Sequence, residues 1–172
     1  GYCTNRLDLG PAYRLEGGNI YEQGIWAPCI RYHNGMFYIF ANVNRAGLMV
    51  YRSKSIQGPW EWNQLPGRHD MSVLFDDDGK VYIISGAGSP YPIEELTPDV
   101  RAFNTNAPKR ALVGRMGEGH HLYKINGKYV DVSAIPGGPV DQMVAVADSI
   151  DGPWKVDRMV QSESLGVTQS TP

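Results

Sequence analysis

Ile30-Arg31-Tyr32-His33-Asn34-Gly35-Met36-Phe37-Tyr38-Ile39 reads as a β-hairpin. Two apolar, aromatic-rich runs flank Asn34-Gly35. Asn-Gly is the pair that most readily takes positive φ at both central turn positions. The plan returns twice. Val73-Leu74-Phe75-Asp76-Asp77-Asp78-Gly79-Lys80-Val81-Tyr82-Ile83 carries Asp78-Gly79 between apolar runs. His121-Leu122-Tyr123-Lys124-Ile125-Asn126-Gly127-Lys128-Tyr129-Val130 carries Asn126-Gly127. The turn glycines fall at 35, 79 and 127, so they stand 44 and then 48 residues apart. A four-stranded propeller blade needs about 40–50 residues.

A second repeat supports this period. Ser55-Ile56-Gln57-Gly58-Pro59-Trp60 recurs as Ser149-Ile150-Asp151-Gly152-Pro153-Trp154, 94 residues later, close to two blades. The expected fold is all-β: a β-propeller, with about three consecutive four-stranded blades. The expected blades span 24–66, 67–115 and 116–159. Residues 1–23 are read as the end of a preceding blade with a linker, and 160–172 as the start of a next blade or a tail. Pro92-Ile93-Glu94-Glu95-Leu96 reads as a short helical turn or a loop between blades. Three blades leave a ring open with two faces to cover, so missing blades or another chain are expected to complete it.

Composition agrees with a globular domain. Hydrophobic residues make up 42% and charged residues 20%. The formal net charge of -2 offers no basic face for nucleic acid and no polybasic membrane anchor. No apolar run approaches the length of a membrane span. Gly1-Tyr2-Cys3-Thr4-Asn5 is no signal peptide, and Gln169-Ser170-Thr171-Pro172 is a small polar ending. Both ends are expected to interrupt a longer chain. Cys3 and Cys29 leave a disulfide open; two inert thiols are the expectation, and they lack metal-ligand spacing.

Nine residues before each turn glycine stand Trp26, Asp70 and Glu118. Equivalent positions in successive blades are related by the ring's rotation. If these residues open the inner strands, two carboxylates and an indole converge on the axis. Glycoside hydrolysis needs a carboxylic acid to protonate the leaving oxygen and a second carboxylate to activate water or attack carbon. An indole face suits the C–H surface of a sugar ring. The plain alternative is that both acids belong to ordinary turns or blade edges.

These stretches resemble glycoside hydrolase family 43. The matching residues are Gly24-Ile25-Trp26-Ala27-Pro28 with the first hairpin, Asp70-Met71-Ser72-Val73-Leu74-Phe75 with the second, and Glu118-Gly119-His120-His121-Leu122-Tyr123 with the third. The resemblance runs from about Gly24 to Trp154 and implies a five-bladed propeller that inverts configuration. Glu118 then matches the general acid. Asp70 matches the carboxylate that orients this acid and tunes its pKa. Trp26 matches a wall of the sugar pocket, and His121 a pocket-lining residue. The general-base Asp lies on the family's first blade, and its Asp-Pro motif has no match here. The chain by itself is therefore expected to be catalytically incomplete.

The implied substrates are xylosides or arabinofuranosides of xylan, arabinan or arabinoxylan. No cofactor is expected for the chemistry and no metal among these site residues; a structural calcium in the complete propeller is consistent with the resemblance. A secreted or periplasmic location is expected for an enzyme that meets plant polysaccharide, with the cytoplasm as the alternative. Asp70-Met71-Ser72 departs from the family's usual Asp-Pro-Ser. The alternative function is a propeller that binds carbohydrate without cutting it, or a purely structural one.

Other features read blandly. His120 and His121 are adjacent on a strand and face opposite sides. His33 is expected at the surface; for His69, beside Asp70, a supporting contact to that carboxylate is the alternative to a residue with no part in the site. Asp76-Asp77-Asp78-Gly79 lacks the spacing of a helix-flanked calcium loop and reads as a solvated turn. Gly86-Ala87-Gly88 lacks a third glycine and a following helix for cradling phosphate. The repeated Trp60 and Trp154 argue for blade packing. Neither Gly-x-Ser-x-Gly nor His-Glu-x-x-His occurs.

Overall fold

The Asn-Gly pairs take the conformation their chemistry favours. In the computed structural model Asn34 and Gly35 have φ of 48° and 77°, and Asn126 and Gly127 have 51° and 78°. Both are two-residue turns with positive φ at each position. The structure describes residues 14–15, 18–19, 24–136 and 141–161. The chain divides into two compact units, Gly1–Gly67 and Arg68–Pro172.

In the first unit, β1 (Arg14–Leu15) and β2 (Gly18–Asn19) form a two-stranded ribbon. One four-stranded antiparallel sheet follows: β3 (Ile25–His33), β4 (Met36–Val43), β5 (Gly47–Ser53) and β6 (Glu61–Leu65), hydrogen-bonded in chain order. Its core is Val43, Ala46, Met49, Tyr51 and Trp60, with Ile25, Phe37, Ile39 and Ile56 against it. The Gly58-Pro59-Trp60 turn carries the indole into this core, and the Gly58 N–H donates to Ser55 O at 2.9 Å. Cys29 is a buried thiol; Cys3 lies outside the described residues. His33 is half-buried.

The second unit holds two further sheets. β7 (Ser72–Phe75), β8 (Val81–Ile84), β9 (Tyr91–Leu96) and β10 (Arg110–Leu112) form one, again in chain order. β11 (Glu118–Ile125), β12 (Lys128–Ile135), β13 (Asp141–Ala147) and β14 (Lys155–Gln161) form the other. The described residues are thus all-β, with three four-stranded antiparallel sheets of blade topology. Tyr82, Ile84, Tyr91, Ile93, Leu112 and Met116 pack against Leu122, Tyr129, Met143 and Ala145 of the third sheet. Each such buried large apolar side chain contributes about 1.5–3 kcal/mol.

Three expectations are corrected in this unit. Pro92–Leu96 is neither a helical turn nor a loop but the body of β9, paired with β8 and β10. Tyr91 and Ile93 are 3% and 1% exposed, and this alternating burial holds the segment extended while Pro92 faces outward. The second hairpin is not a two-residue turn. Phe75 pairs with Val81, and residues 76–80 close a longer loop in which Asp76 N–H donates to Lys80 O at 2.9 Å.

Asp76 is also no solvated turn acid. It is 4% exposed, accepts from Lys124 Nζ at 2.6 Å and accepts the Tyr129 hydroxyl. It thereby ties the second sheet to β11 and β12. Burial opposes its charge, yet Lys124, Tyr129 and the Asp77 amide together hold its carboxyl below the usual range. Burial and the bond to Asp76 push the Tyr129 phenol up to about 12. A depressed folded pKa contributes stability above the unfolded value of about 3.9, lost as pH falls through the folded value. Asp76→Asn is expected to lower unfolding free energy at pH 7 by about 2 kcal/mol. That gap should shrink below about pH 4, as denaturant titrations at pH 7 and 3 would reveal.

Candidate active site

The third sheet positions Glu118 by a bulge. Glu118 is the first residue of β11 and pairs with Ala134, but the register slips before His121 pairs with Val132. Gly119 takes φ 68° within this slip. The first sheet repeats the device: Trp26 pairs with Asn42, the register slips before Cys29 pairs with Phe40, and Ala27 takes φ 33°. Such bulges turn a strand and re-aim its side chains. Asp70 reaches its place differently. It lies two residues before β7, in a turn, with φ 46°, a conformation Asp tolerates better than most residues. The His69 carbonyl accepts from Gly86 N–H at 2.9 Å and fixes that turn.

Asp70 and Glu118 come together around His69. His69 Nε2 lies 3.6 Å from Asp70 Oδ2 and 3.8 Å from Glu118 Oε2. The imidazole nitrogen and the two carboxylate oxygens all fall within 4.8 Å of one another. Asp70 is buried, Glu118 half-buried and His69 exposed. These three are the described group with donors placed to hold a metal ion. Ligands bound tetrahedrally at zinc distances stand about 3.4 Å apart, so the group would have to close slightly around one.

The spacing constrains the chemistry. An inverting acid–base pair stands about 6.5–9.5 Å apart to admit water, and a retaining pair about 5–5.5 Å. Asp70 and Glu118 are too close to be the two partners of inversion. They suit an acid with an adjacent orienting carboxylate.

The chain enters Glu118 through a tight passage. Gly117 has φ 110°, and a Cβ there would lie 2.1 Å from the Ala134 carbonyl oxygen. The Tyr91 hydroxyl accepts from the Gly117 N–H at 2.8 Å and the Met116 N–H at 3.2 Å. Farther along, the Leu122 N–H donates to Ser72 Oγ at 2.9 Å. His120 faces inward, edge-on to the Tyr91 ring at 4.8 Å. Its Nδ1 lies 2.7 Å from Asp131 Oδ2. Burial pushes the Asp131 carboxyl up, against the opposing influence of His120. His121 faces the other way, half-buried, its ring stacked on Tyr123 at 6.3 Å.

In the first unit the Trp26 indole is 47% exposed. Its Nε1–H donates to Asn44 Oδ1 at 2.9 Å, and the Asn44 N–H donates to Gly24 O at 3.1 Å. The ring is held at its nitrogen and leaves apolar surface open.

Tyr91, Asp131 and His120 were not recognisable as site-supporting residues from sequence. Their partners lie 11 to 26 residues away, beyond any local pattern. His69 had one signal, its place beside Asp70.

The model of glycosyl hydrolases family 43 matches residues 5–168. A putative beta-xylosidase of Xylanibacter ruminicola is 32% identical over 157 residues, covering 86% of this chain and 30% of that protein. A xylosidase/arabinosidase of Butyrivibrio fibrisolvens is 33% identical over 168 residues, covering 84% and 32%. The solved structure of a bifunctional GH43-CE protein of Bacteroides eggerthii superposes with a TM-score of 0.73 at 32% identity, over 94% of this chain and 23% of that one. The chain thus spans about a third or less of the length of these three relatives.

Proposed function

The chain belongs to glycosyl hydrolase family 43, and from that premise we propose that it carries the acid side of a glycosidase centre acting on xylosides or arabinofuranosides. Glu118 is the general acid that protonates the departing glycosidic oxygen. Asp70 orients it, and His69 Nε2 stands between the two at 3.6 and 3.8 Å. Trp26 offers an apolar platform to a sugar ring, and His121 a polar contact. The general base comes from sequence preceding the matched motifs. The reaction needs no cofactor. Xylan, arabinan and arabinoxylan are the substrate class.

The observation that carries this reading is the convergence of Asp70 and Glu118 on His69 Nε2, within 4.8 Å. Proton donation needs a carboxyl group within about 2.6–3.2 Å of the reacting oxygen. Glu118, at the start of β11, is half-buried and keeps part of its side chain open to such an approach.

A second reading, a retaining pair in which Asp70 attacks carbon, needs carboxyl groups about 5–5.5 Å apart, wider than the 4.8 Å that bounds the nearest oxygens. Product stereochemistry separates them. Hydrolysis of aryl β-xyloside and aryl α-L-arabinofuranoside should be followed by proton NMR, for this chain alone and for a polypeptide extended through the preceding blade. Turnover by the extended polypeptide only, with inverted product, is expected. Turnover by this chain alone, with retained configuration, would instead establish the Asp70–Glu118 pair as sufficient. Binding of sugars without turnover by either would favour a carbohydrate-binding propeller.

A further inference from the structure

Glu118 acts as an acid only if its carboxyl group is held in place, and the side chain inherits its position from the backbone that enters β11. That backbone is gripped from both sides. On one side the Ala134 carbonyl presses so closely on Gly117 that a Cβ would lie 2.1 Å from its oxygen. On the other, the Tyr91 hydroxyl accepts the Gly117 N–H at 2.8 Å and the Met116 N–H at 3.2 Å. Tyr91 is 3% exposed and Met116 is fully buried, so water cannot readily replace these bonds.

Tyr91 opens β9 of the second sheet, the sheet that Asp70 leads into through β7. Glu118 opens the third sheet. The hydroxyl therefore ties the approach to one carboxylate to the sheet that carries the other. The ring is itself braced, edge-on against His120 at 4.8 Å, and His120 is fixed by Asp131 at 2.7 Å.

We propose that Tyr91 is a positioning residue for Glu118, its hydroxyl setting the place of the acid relative to Asp70. The inference rests on the reading of Glu118 as general acid. Removing the hydroxyl leaves two buried N–H groups without an acceptor. Moving the Met116–Gly117 segment relieves that deficit and carries Glu118 with it. A displacement of about 1 Å costs up to about 10²-fold in rate.

The test is Tyr91→Phe in the complete enzyme, with two substrates that share a sugar and differ in leaving group. A dinitrophenyl glycoside departs without a proton; a disaccharide needs one. For the disaccharide, kcat is expected to fall about 10- to 100-fold with KM within about twofold. For the dinitrophenyl glycoside, kcat should fall less than about threefold. The ratio of the two rates cancels any loss of folded enzyme. Ser72→Ala removes a different bond between the second sheet and β11, at Leu122, and should leave that ratio unchanged.

An equal fall on both substrates, or none, with Tyr91→Phe would overturn the proposal. So would a changed ratio in Ser72→Ala as large as that in Tyr91→Phe. Glu118→Gln in the same assay separates the two levels. A leaving-group-selective loss with Glu118→Gln but not with Tyr91→Phe defeats only the role of Tyr91. No selective loss with Glu118→Gln defeats the acid assignment beneath it.

Discussion

Glu118→Gln in the complete enzyme is expected to lower kcat on xylo- or arabino-oligosaccharides by about 10²- to 10⁴-fold, with KM little changed. The substitution keeps the shape and hydrogen-bonding reach of the side chain and removes only the transferable proton. Little else should suffer. Glu118 is half-buried, and its 3.8 Å approach to the exposed His69 ring is a contact of low worth. The unfolding midpoint should therefore stay close to that of the parent enzyme. Steady-state kinetics with a circular-dichroism melt checks both parts. A loss confined to KM, or a rate within about threefold of the parent, would remove Glu118 from the chemistry.

Gly117→Ala should be the most damaging single methyl in this region. The new Cβ would meet the Ala134 oxygen at 2.1 Å, its carbonyl carbon at 2.5 Å and the Ile135 nitrogen at 2.8 Å. All three are backbone atoms and none can swing aside. The φ of 110° adds a conformation that alanine resists. Relief requires the start of β11 to part from β12, which breaks the Glu118–Ala134 pairing. A destabilisation of about 3–5 kcal/mol is expected, in the range reserved for strain and overpacking. Gly119→Ala, two residues on, supplies the comparison. Its φ is 68°, but no atom lies within 4 Å of the added carbon, so the cost should be about 1–2 kcal/mol. Denaturant midpoints of the two variants decide the matter. Equal costs would mean that the passage at Gly117 is looser than its contacts require.

The parts of the fold that local chemistry determines were legible in the sequence. Asn34-Gly35 and Asn126-Gly127 mark their turns because few other pairs accept positive φ twice. The spacing of the turn glycines gave the blade period, and the three sheets follow it. The equal offset of Trp26 and Glu118 from those glycines has a structural cause, the shared one-residue bulge that follows each. Asp70 has the same offset by another route, since a longer turn at 76–80 replaces the bulge.

What depended on distant partners was hidden. Asp76 resembles its exposed neighbour Asp77 in sequence, and only Lys124 and Tyr129, about 50 residues on, make it an internal anchor. Pro92–Leu96 reads locally as a turn or loop, and only the burial of Tyr91 and Ile93 between neighbouring strands makes it a strand. His69 gains its place between two carboxylates because the Gly86 amide pins its carbonyl. Tyr91 has no sequence signature at all.

The most direct measurement is a crystal structure of the complete enzyme carrying Glu118→Gln, soaked with an uncut xylo- or arabino-disaccharide. The side-chain amide at position 118 should lie about 2.6–3.2 Å from the glycosidic oxygen, with Asp70 beside it. A third carboxylate should stand across the sugar, about 6.5–9.5 Å from the amide. A sugar bound with its glycosidic oxygen away from position 118, or with Asp70 beneath the anomeric carbon, would contradict the assignment of Glu118 and Asp70.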